Sequence, residues 1–359
     1  MQHLRLGLNL AMTHWDSGPE PNVGLAQTAE RLGFDSVWTE EAYGSDAVSP
    51  LAWVAALTQR IAVGSAVWQI PARTPAMAAM TAATLDKLSG GRLRVGLGVS
   101  GPQVVEGWHG QPFARPVTRT REYVDIMRLI LAREEPVSYH GREYELPYSG
   151  DAGLGLGRPL KLILHPERRI PFYLGALGPR NIALTAEIAD GWLPIFYAPR
   201  CAEDVFGESL AEGFARAGED KAPGRGFDVA PVVSVVVDDD PAVARLPVKR
   251  RIALYIGGMG AANKNFSNQL IRRFGYAEAA EEIQARFLSG DRDGAVQAVP
   301  DELIDDVALC GPPARIAALL EAWRASDVTT LILDTDDVNA MQAMADLVRS
   351  PVATPSETA

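Results

Sequence analysis

The segment 175–181, which reads GALGPRN, has the residue types of an anion-binding turn. Small residues follow an apolar stretch, and Pro179 suits the first position of a helix, so backbone amides and the positive end of the helix dipole would face outward together. Arg180 and Asn181 could add a charged donor and an amide. A tight turn between a strand and a helix has the same residue pattern, so the residues alone leave both interpretations open.

A second glycine-rich loop spans residues 96–110. It exposes backbone at Gly98 and Gly101, and the Ser100 hydroxyl could donate to an anion or to the edge of a ring. The spacing does not match the dinucleotide fingerprint G-x-G-x-x-G, because Pro102 or its neighbours stand where the third glycine and a helix start are needed.

The same loop continues with Glu106, Trp108 and His109. These residues could supply an acid or base and one wall of a pocket. Packing of Trp108 and His109 on the rim of the fold is an equally good interpretation.

A third segment, TEEAYGSDA at 39–47, carries Glu40, Glu41, Tyr43 and Asp46. Carboxylates at such a position can accept protons or bind ring N–H groups. Asp46 is explained as a helix N-cap. Glu41 has no comparable structural explanation in the sequence, and we interpret it as functional.

Several chemistries are excluded by missing patterns. The five histidines form no HxxxH pair and no histidine–carboxylate pair at ligand spacing, so no metal site is expected. Cys201 and Cys310 lie far apart, which predicts buried free thiols. The chain has neither the P-loop pattern nor the G-x-S-x-G elbow of serine hydrolases.

Charge and hydropathy exclude further classes. The chain has 34 Lys and Arg against 45 Asp and Glu, a net charge of −11, so no attraction to nucleic acid or anionic lipid is expected. No apolar run approaches the roughly 18 residues of a membrane span. A soluble cytoplasmic protein is the expectation.

The candidate segments follow strands in an alternating strand–helix pattern, which is typical of parallel strands joined by helices. The predicted strands are 4–10, 35–39, 60–67, 92–99, 171–175, 191–196, 227–237 and 329–333. The predicted helices are 22–32, 48–58, 75–88, 118–132, 179–189, 201–217, 313–326 and 337–349.

Eight strand–helix units favour an α/β fold of the (β/α)8 TIM barrel type, with an open sheet plus a helical domain as the alternative. We expect one domain over residues 1–350, with insertions after strand 4 (about 136–165) and strand 7 (about 240–305), and a polar tail at 351–359. In a barrel the chemistry gathers at the carboxyl ends of the strands, where the three candidate loops would meet.

Longer stretches of the chain resemble a known family. The stretches are AERLGFDSVWTEEAYGSDA (29–47), the block 60–110 with RIAVGSAVWQIPARTP and GGRLRVGLGVSGPQVVEGWHG, GPRNIALTAEIADGWLP (178–194), LYIGGMG (254–260) and DELIDDVALCGPPARIAALLEAWRASDVTTLIL (301–333). They are similar to the luciferase-like (bacterial luciferase) superfamily of flavin- and deazaflavin-dependent oxidoreductases, in the branch that uses coenzyme F420. The pterin-reducing relatives are nearest in general form.

The resemblance implies a barrel that binds a deazaflavin ring at its mouth. A non-prolyl cis peptide behind the ring would be the Ala66–Val67 bond, and Ser100 and Gly101 would lie at the ring. The turn that holds the cofactor phosphate would consist of Gly175, Ala176, Leu177, Gly178, Pro179 and Arg180, the same turn that the residue types select.

The resemblance also assigns an acidic ring contact to Glu41. Several relatives continue with histidine, but here Ala42 follows, so that histidine's role is not carried over. A glutamate that protonates the cofactor in sugar-phosphate-oxidising relatives is matched by Gly101. The proton donor is therefore unassigned, with Glu41, Glu106 and His109 as candidates.

A deazaflavin transfers hydride and resists oxygen, so the resemblance implies an F420-dependent oxidoreductase that exchanges a hydride with a small organic substrate. The alternatives are an FMN-dependent luciferase-like monooxygenase and a cofactor-binding protein without catalysis. Dimers or higher homo-oligomers are common in the family. Aromatic side chains expected at the substrate are Trp15, Tyr43, Trp68, Trp108 and Phe196.

Overall fold

The computed structural model describes residues 4–12, 14–218, 221–260 and 264–349, so the predicted tail 351–359 lies outside the described residues. The strands are β1 (Arg5–Leu10), β2 (Ser36–Thr39), β3 (Ala62–Ser65), β4 (Trp68–Gln69), β5 (Leu93–Gly98), β6 (Tyr139–His140), β7 (Glu145–Leu146), β8 (Phe172–Gly175), β9 (Gly191–Trp192), β10 (Ala222–Pro223), β11 (Gly226–Val229), β12 (Val232–Val237), β13 (Leu309–Gly311) and β14 (Thr330–Asp334).

Helices connect most of these strands. They are α1 (Glu20–Arg31), α2 (Val48–Leu57), α3 (Pro75–Leu88), α4 (Pro102–Gly107), α5 (Pro116–Ala132), α6 (Pro179–Ile188), α7 (Glu208–Ala217), α8 (Pro241–Gly258), α9 (Phe266–Arg273), α10 (Ala277–Leu288), α11 (Arg292–Gln297), α12 (Asp301–Val307), α13 (Pro313–Ala325) and α14 (Val338–Arg349). Within the described ranges no helix is long and apolar enough to cross a membrane.

The main sheet is parallel and has the order β10-β11-β9-β8-β5-β3-β2-β1-β14-β12-β13, with β4 paired to β5. The strands β11 and β12 lie near opposite ends of this order, although only two residues separate them in the chain. The sheet must therefore curl back on itself. The predicted α/β fold is confirmed, with a parallel sheet that curls, whereas the closed (β/α)8 barrel and the positions of the two insertions stay predictions.

The predicted strand 227–237 is wrong as one continuous element, because it breaks at Ala230 and Pro231. Proline has no N–H to give to a ladder, so the pairing changes partner there. The amide of Ala230 donates to the carbonyl of Trp192 (2.9 Å), while the carbonyl of Pro231 accepts from the amide of Ile332 (3.0 Å). The segment thus bonds to β9 before the break and to β14 after it.

Other strands and helices also begin or end at residues that differ from the predicted ones. The predicted strand 191–196 is only Gly191–Trp192, since Pro194 interrupts it. The predicted helix 201–217 starts with a 3-10 turn at Pro199–Cys201 and a π turn at Glu203–Gly207. The loop 96–110 contains the short helix α4, and β13 follows the helical stretch without having been predicted.

The helices α3 and α5 fix the position of the chain segment that precedes α3. The helix α3 starts with Thr74 as its cap, whose hydroxyl accepts from the amide of Met77 (3.2 Å). On α5, the side chains of Tyr123, Ile126 and Met127 are buried. The Tyr123 hydroxyl donates to the carbonyl of Arg73 (3.2 Å), which fixes the chain just before α3.

Candidate functional site

A cavity of about 370 Å³ opens where the strands β2, β3, β5 and β8 end. This is the usual size of a small-molecule site. Its floor is formed by backbone and small side chains at these strand ends, and its roof by residues from α8 and α9. The three candidate loops 39–47, 96–110 and 175–181 each contribute residues to this cavity, as do Ala66 and Val67 after β3.

The wall behind the cavity contains Ala66 and Val67, whose peptide bond is cis, as the resemblance implies. Two glycines allow the close approach of neighbouring strands to this wall. A Cβ atom at Gly98 would lie 2.5 Å from Cγ2 of Val67, and one at Gly175 would lie 3.3 Å from its Cγ1. A side chain at Gly98 would therefore displace Val67, whereas one at Gly175 would require a shift of only a few tenths of an ångström.

The turn after β8 lines the cavity with Gly175, Ala176, Leu177 and Gly178. Gly178 is the N-cap residue of α6 and offers no side chain as a cap, so the amides and dipole of the helix start are available to an anion. Pro179 begins the helix, and Arg180 is exposed; neither is among the residues that line the cavity.

Asn181, one residue further, does line the cavity. Its side-chain oxygen is buried and has no hydrogen-bond partner among the described residues. A buried polar atom without a partner costs free energy unless a ligand or water satisfies it. Asn181 is therefore a better candidate for a ligand contact than Arg180.

The loop after β5 divides into two parts. Ser100 and Gly101 line the cavity, and Ser100 has a positive φ of 61°. The Glu106 carboxylate is exposed and accepts from the amide of Phe113 (3.3 Å). Nε2 of His109 lies 3.4 Å from Oε1 of Gln69. Neither Glu106 nor His109 belongs to the lining of this cavity.

The expectation that Glu41 has no structural role is wrong. Its side chain is only 5% exposed and forms an ion pair with Arg73 through both guanidinium ends. It also accepts from the amides of Ala47 (2.9 Å) and Gln69 (2.8 Å). Burial lowers the pKa of Arg73, but the hydrogen bonds and charge of Glu41 outweigh burial and raise it.

The neighbouring carboxylate, Glu40, lines the cavity instead. It is half-buried, and its Oε1 accepts from the amide of Met12 (3.1 Å). The structure thus gives the two adjacent glutamates opposite directions. Glu41 ties the loop after β2 to the chain before α3, and Glu40 faces the open space.

The aromatic side chains expected at the substrate lie outside the lining of the cavity. Trp68 and Phe196 are buried in the protein core, Trp15 is half-buried against it, and Tyr43 and Trp108 are 58% and 68% exposed. Aliphatic side chains such as Val99, Ile195 and Val232 supply the apolar wall in their place, together with Phe113 and Phe266.

Sequence reasoning missed the contribution of α8, whose residues Arg251 and Tyr255 line the cavity together with Met259, the residue that follows the helix. Arg251 forms an ion pair with Asp334 at the end of β14, and Asp334 also accepts from Nδ2 of Asn9 (3.1 Å). The spacing of four residues puts these side chains on one face of the helix. That spacing was readable, but the packing of α8 over the strand ends was not.

Burial raises the pKa of the Tyr255 phenol; the charge of Arg251 lowers it, and that of Glu40 raises it again. The net shift is upward, so the phenol keeps its proton at neutral pH. A proton donor and a carboxylate therefore face the same cavity as the cis peptide and the glycine-rich turn.

Comparison with known proteins agrees with this geometry. The profile of the luciferase-like monooxygenase family matches residues 5–330. A putative coenzyme F420-dependent oxidoreductase of Mycobacterium tuberculosis is 47% identical over 347 residues, which cover 96% of this chain and 99% of that protein. The 5,10-methylenetetrahydromethanopterin reductase of Archaeoglobus fulgidus is 29% identical over 85% of this chain and 86% of its own.

A solved structure shows the same fold. The coenzyme F420-dependent tetrahydromethanopterin reductase from Methanopyrus kandleri superimposes with a TM-score of 0.78, covering 96% of this chain and 97% of that one at 24% identity.

Proposed function

The chain belongs to the luciferase-like monooxygenase family, and on that premise we propose that it is a coenzyme F420-dependent oxidoreductase, which moves a hydride between the deazaflavin and a small organic substrate. The observation that carries the proposal is the 47% identity, over nearly the whole chain, to a protein named as a putative enzyme of this kind. The form of the cavity supports it.

The residues around the cavity fit a flat ring with an anionic tail. Ala66 and Val67 would lie against one face of the ring, with Ser100 and Gly101 at its side. The turn from Gly175 to Gly178, with Pro179 and Arg180 behind it, would hold the phosphate at the start of α6. When bound, the deazaflavin supplies a carbon centre that gives or accepts hydride.

The acidic contact to the ring is proposed for Glu40 rather than Glu41, because only Glu40 lines the cavity. Glu41 is proposed as a positioning residue that holds the loop carrying Glu40. Glu106 and His109 stay candidates for the chemistry only if the loop that carries them moves toward the cavity, and no contact in the structure draws them there.

The proposal includes a full (β/α)8 barrel over residues 1–350, with excursions at about 136–165 and 240–305. It also includes association of copies of the chain. The packed helices α2 and α3 expose Trp53, Leu57, Met77, Met80 and Leu88, and apolar side chains grouped in this way often mark an interface. Light scattering on the purified protein tests the association. A cytoplasmic location stays a prediction.

Titration of the purified apoprotein with oxidised F420, and in parallel with FMN, tests the cofactor by fluorescence quenching. We expect F420 to bind in the micromolar range or tighter and FMN to bind at least tenfold more weakly. Preference for FMN would overturn the proposal and make oxygen consumption by the reduced enzyme the relevant assay.

The phosphate position has a matched pair of variants. A Cβ atom at Gly178 meets nothing within 4 Å, and the backbone there has φ −84°, so the backbone of an L-residue is unstrained and its Cβ has space. Gly178→Asp would place a carboxylate at the phosphate and weaken F420 binding at least tenfold, whereas Gly178→Ala adds the Cβ without the charge. Equal affinity of the two variants would mean that the phosphate lies elsewhere.

A further inference from the structure

Three titratable side chains line the cavity in the described part of the chain: Glu40, Arg251 and Tyr255. Arg251 has its charge compensated by the ion pair with Asp334. Glu40 forms no ion pair with any described residue, and its known partner is a backbone amide. A substrate in this cavity therefore meets one phenol, one compensated cation and one carboxylate.

Tyr255 is held firmly by its surroundings. The guanidinium carbon of Arg251, one helical turn earlier, lies 5.8 Å from the centroid of the tyrosine ring. The ring of Phe196 approaches it edge-on, with 5.5 Å between centroids. Nδ2 of Asn265 donates to the carbonyls of Tyr255 (2.9 Å) and Ile256 (2.8 Å), which secures the end of α8.

The phenol is also in the right protonation state to donate. The groups that face it are Arg251 on its own helix, and Glu40 and Tyr43 on the loop after β2. Burial, the first cause, and the two acidic groups together outweigh the charge and the hydrogen bond of Arg251, so the pKa of Tyr255 lies above its usual value. A fixed, protonated phenol can donate a hydrogen bond to a substrate oxygen, and the adjacent Arg251 cation would stabilise the tyrosinate that forms on proton transfer.

We propose that Tyr255 is the catalytic residue that donates a hydrogen bond, and then a proton, to the oxygen of an uncharged carbonyl substrate such as a ketone, aldehyde or enone. This inference rests on the proposed function. It replaces Glu41, Glu106 and His109, the candidates from sequence, with a residue that touches the cavity.

The step balances in atoms and electrons. The carbonyl carbon gains the hydride, with the two electrons that the reduced deazaflavin supplies, and the carbonyl π pair becomes an O–H bond with the proton of Tyr255. The tyrosinate regains a proton from solvent. Oxidation of the deazaflavin would release one proton to solvent, so the overall number of protons is unchanged. In the reverse direction, Tyr255 accepts the proton of an alcohol.

The charged residues that line the cavity favour an uncharged substrate. A carboxylate substrate would lie near Glu40 without a free cation to compensate it, because Arg251 already pairs with Asp334. Like charges in a partly desolvated site disfavour binding. The aliphatic wall of Val99, Ile195 and Val232 favours an apolar body on the substrate.

The test uses the enzyme loaded with oxidised F420 and the probe 2-cyclohexen-1-one. Neither partner can give up a hydride, so binding is measured without turnover. Ligand-observed NMR gives the Kd, and infrared difference spectroscopy gives the C=O stretching frequency of the bound probe. The comparison ligand is cyclohex-1-ene-1-carboxylate. The variants are Tyr255→Phe and, as a control that removes an exposed phenol outside the lining of the cavity, Tyr148→Phe.

We expect cyclohexenone to bind at least tenfold tighter than the carboxylate, with its C=O frequency lowered by the hydrogen bond. Tyr255→Phe should weaken its binding about tenfold and raise the frequency again, while the F420 affinity stays within twofold. Tyr148→Phe should change neither value.

An unchanged Kd and C=O frequency in Tyr255→Phe would overturn the role of Tyr255. Tighter binding of the carboxylate, or no binding of cyclohexenone up to its solubility, would overturn the substrate class. Failure of the wild-type protein to bind F420 is a separate result, which removes the proposed function and this inference together.

Discussion

Replacement of Glu41 by alanine should destabilise the protein without removing a group from the cavity. The change removes the ion-pair partner of Arg73, whose side chain is only 16% exposed, and leaves Asp46 as the remaining carboxylate that acts on its charge. It also leaves the amides of Ala47 and Gln69 without their acceptor. Loss of one partner from a buried pair costs about 3–5 kcal/mol, and the partial exposure of Arg73 favours the lower end, about 3 kcal/mol.

This loss converts into a measurable melting shift. Unfolding entropy is about 2.1 cal/mol/K per residue, or about 0.7 kcal/mol/K for 359 residues, so Tm should fall by about 4 °C. Differential scanning fluorimetry of the apoprotein is sufficient to measure it.

Glu40→Ala is the matched control, because it removes the same side chain one residue earlier. Its carboxylate is half-buried and has one backbone partner, so we expect a Tm change of about 1 °C or less and a several-fold weaker affinity for F420. A Glu41→Ala protein that melts like wild type but no longer binds F420 would refute the division of roles between the two glutamates.

Three further outcomes follow from the contacts. Gly98→Ala should weaken F420 binding about tenfold while the circular dichroism spectrum is unchanged, because the added Cβ would lie 2.5 Å from Val67. Retained affinity would show that the deazaflavin ring does not lie against Val67. Asp228→Asn should lower the free energy of unfolding in urea by about 2 kcal/mol, because its buried carboxylate accepts from tyrosine and threonine hydroxyls. The F420 affinity should be unchanged, since Asp228 lies at the opposite end of the strands from the cavity. A change in affinity would contradict a purely structural role. Burial raises the pKa of Cys310 to about 12, so at pH 8 a thiol reagent should label the native protein only at the half-buried Cys201. In guanidinium it should label both cysteines. Labelling of Cys310 in the native protein would contradict its burial.

The parts of the site that were predictable depend on local sequence. The turn at 175–178 consists of small residues before a proline that starts a helix, and both features act within a few residues. The strand pattern was also readable, because apolar runs between turn residues recur along the chain. The cis bond at Ala66–Val67 came from the family resemblance and not from the residue types.

The parts that were missed depend on contacts between distant segments. Nothing near Glu41 in the sequence indicates that Arg73, 32 residues later, would bind it and leave Glu40 to face the cavity. The roles of Arg251 and Tyr255 likewise depend on how α8 packs over the ends of the strands. Pro231 predicts a break within 227–237, whereas the valine run around it predicts a continuous strand, and the structure follows the proline.

The pairing of β1 with β14 constrains how the chain can be made. Arg5 lies opposite Thr330 in this pair, so the first strand has no partner on that side until nearly all of the chain has left the ribosome. At about 5–20 residues per second, the wait is roughly 15–65 s. During this interval the unpaired edge of β1 is a surface to which the strands of other nascent chains could pair.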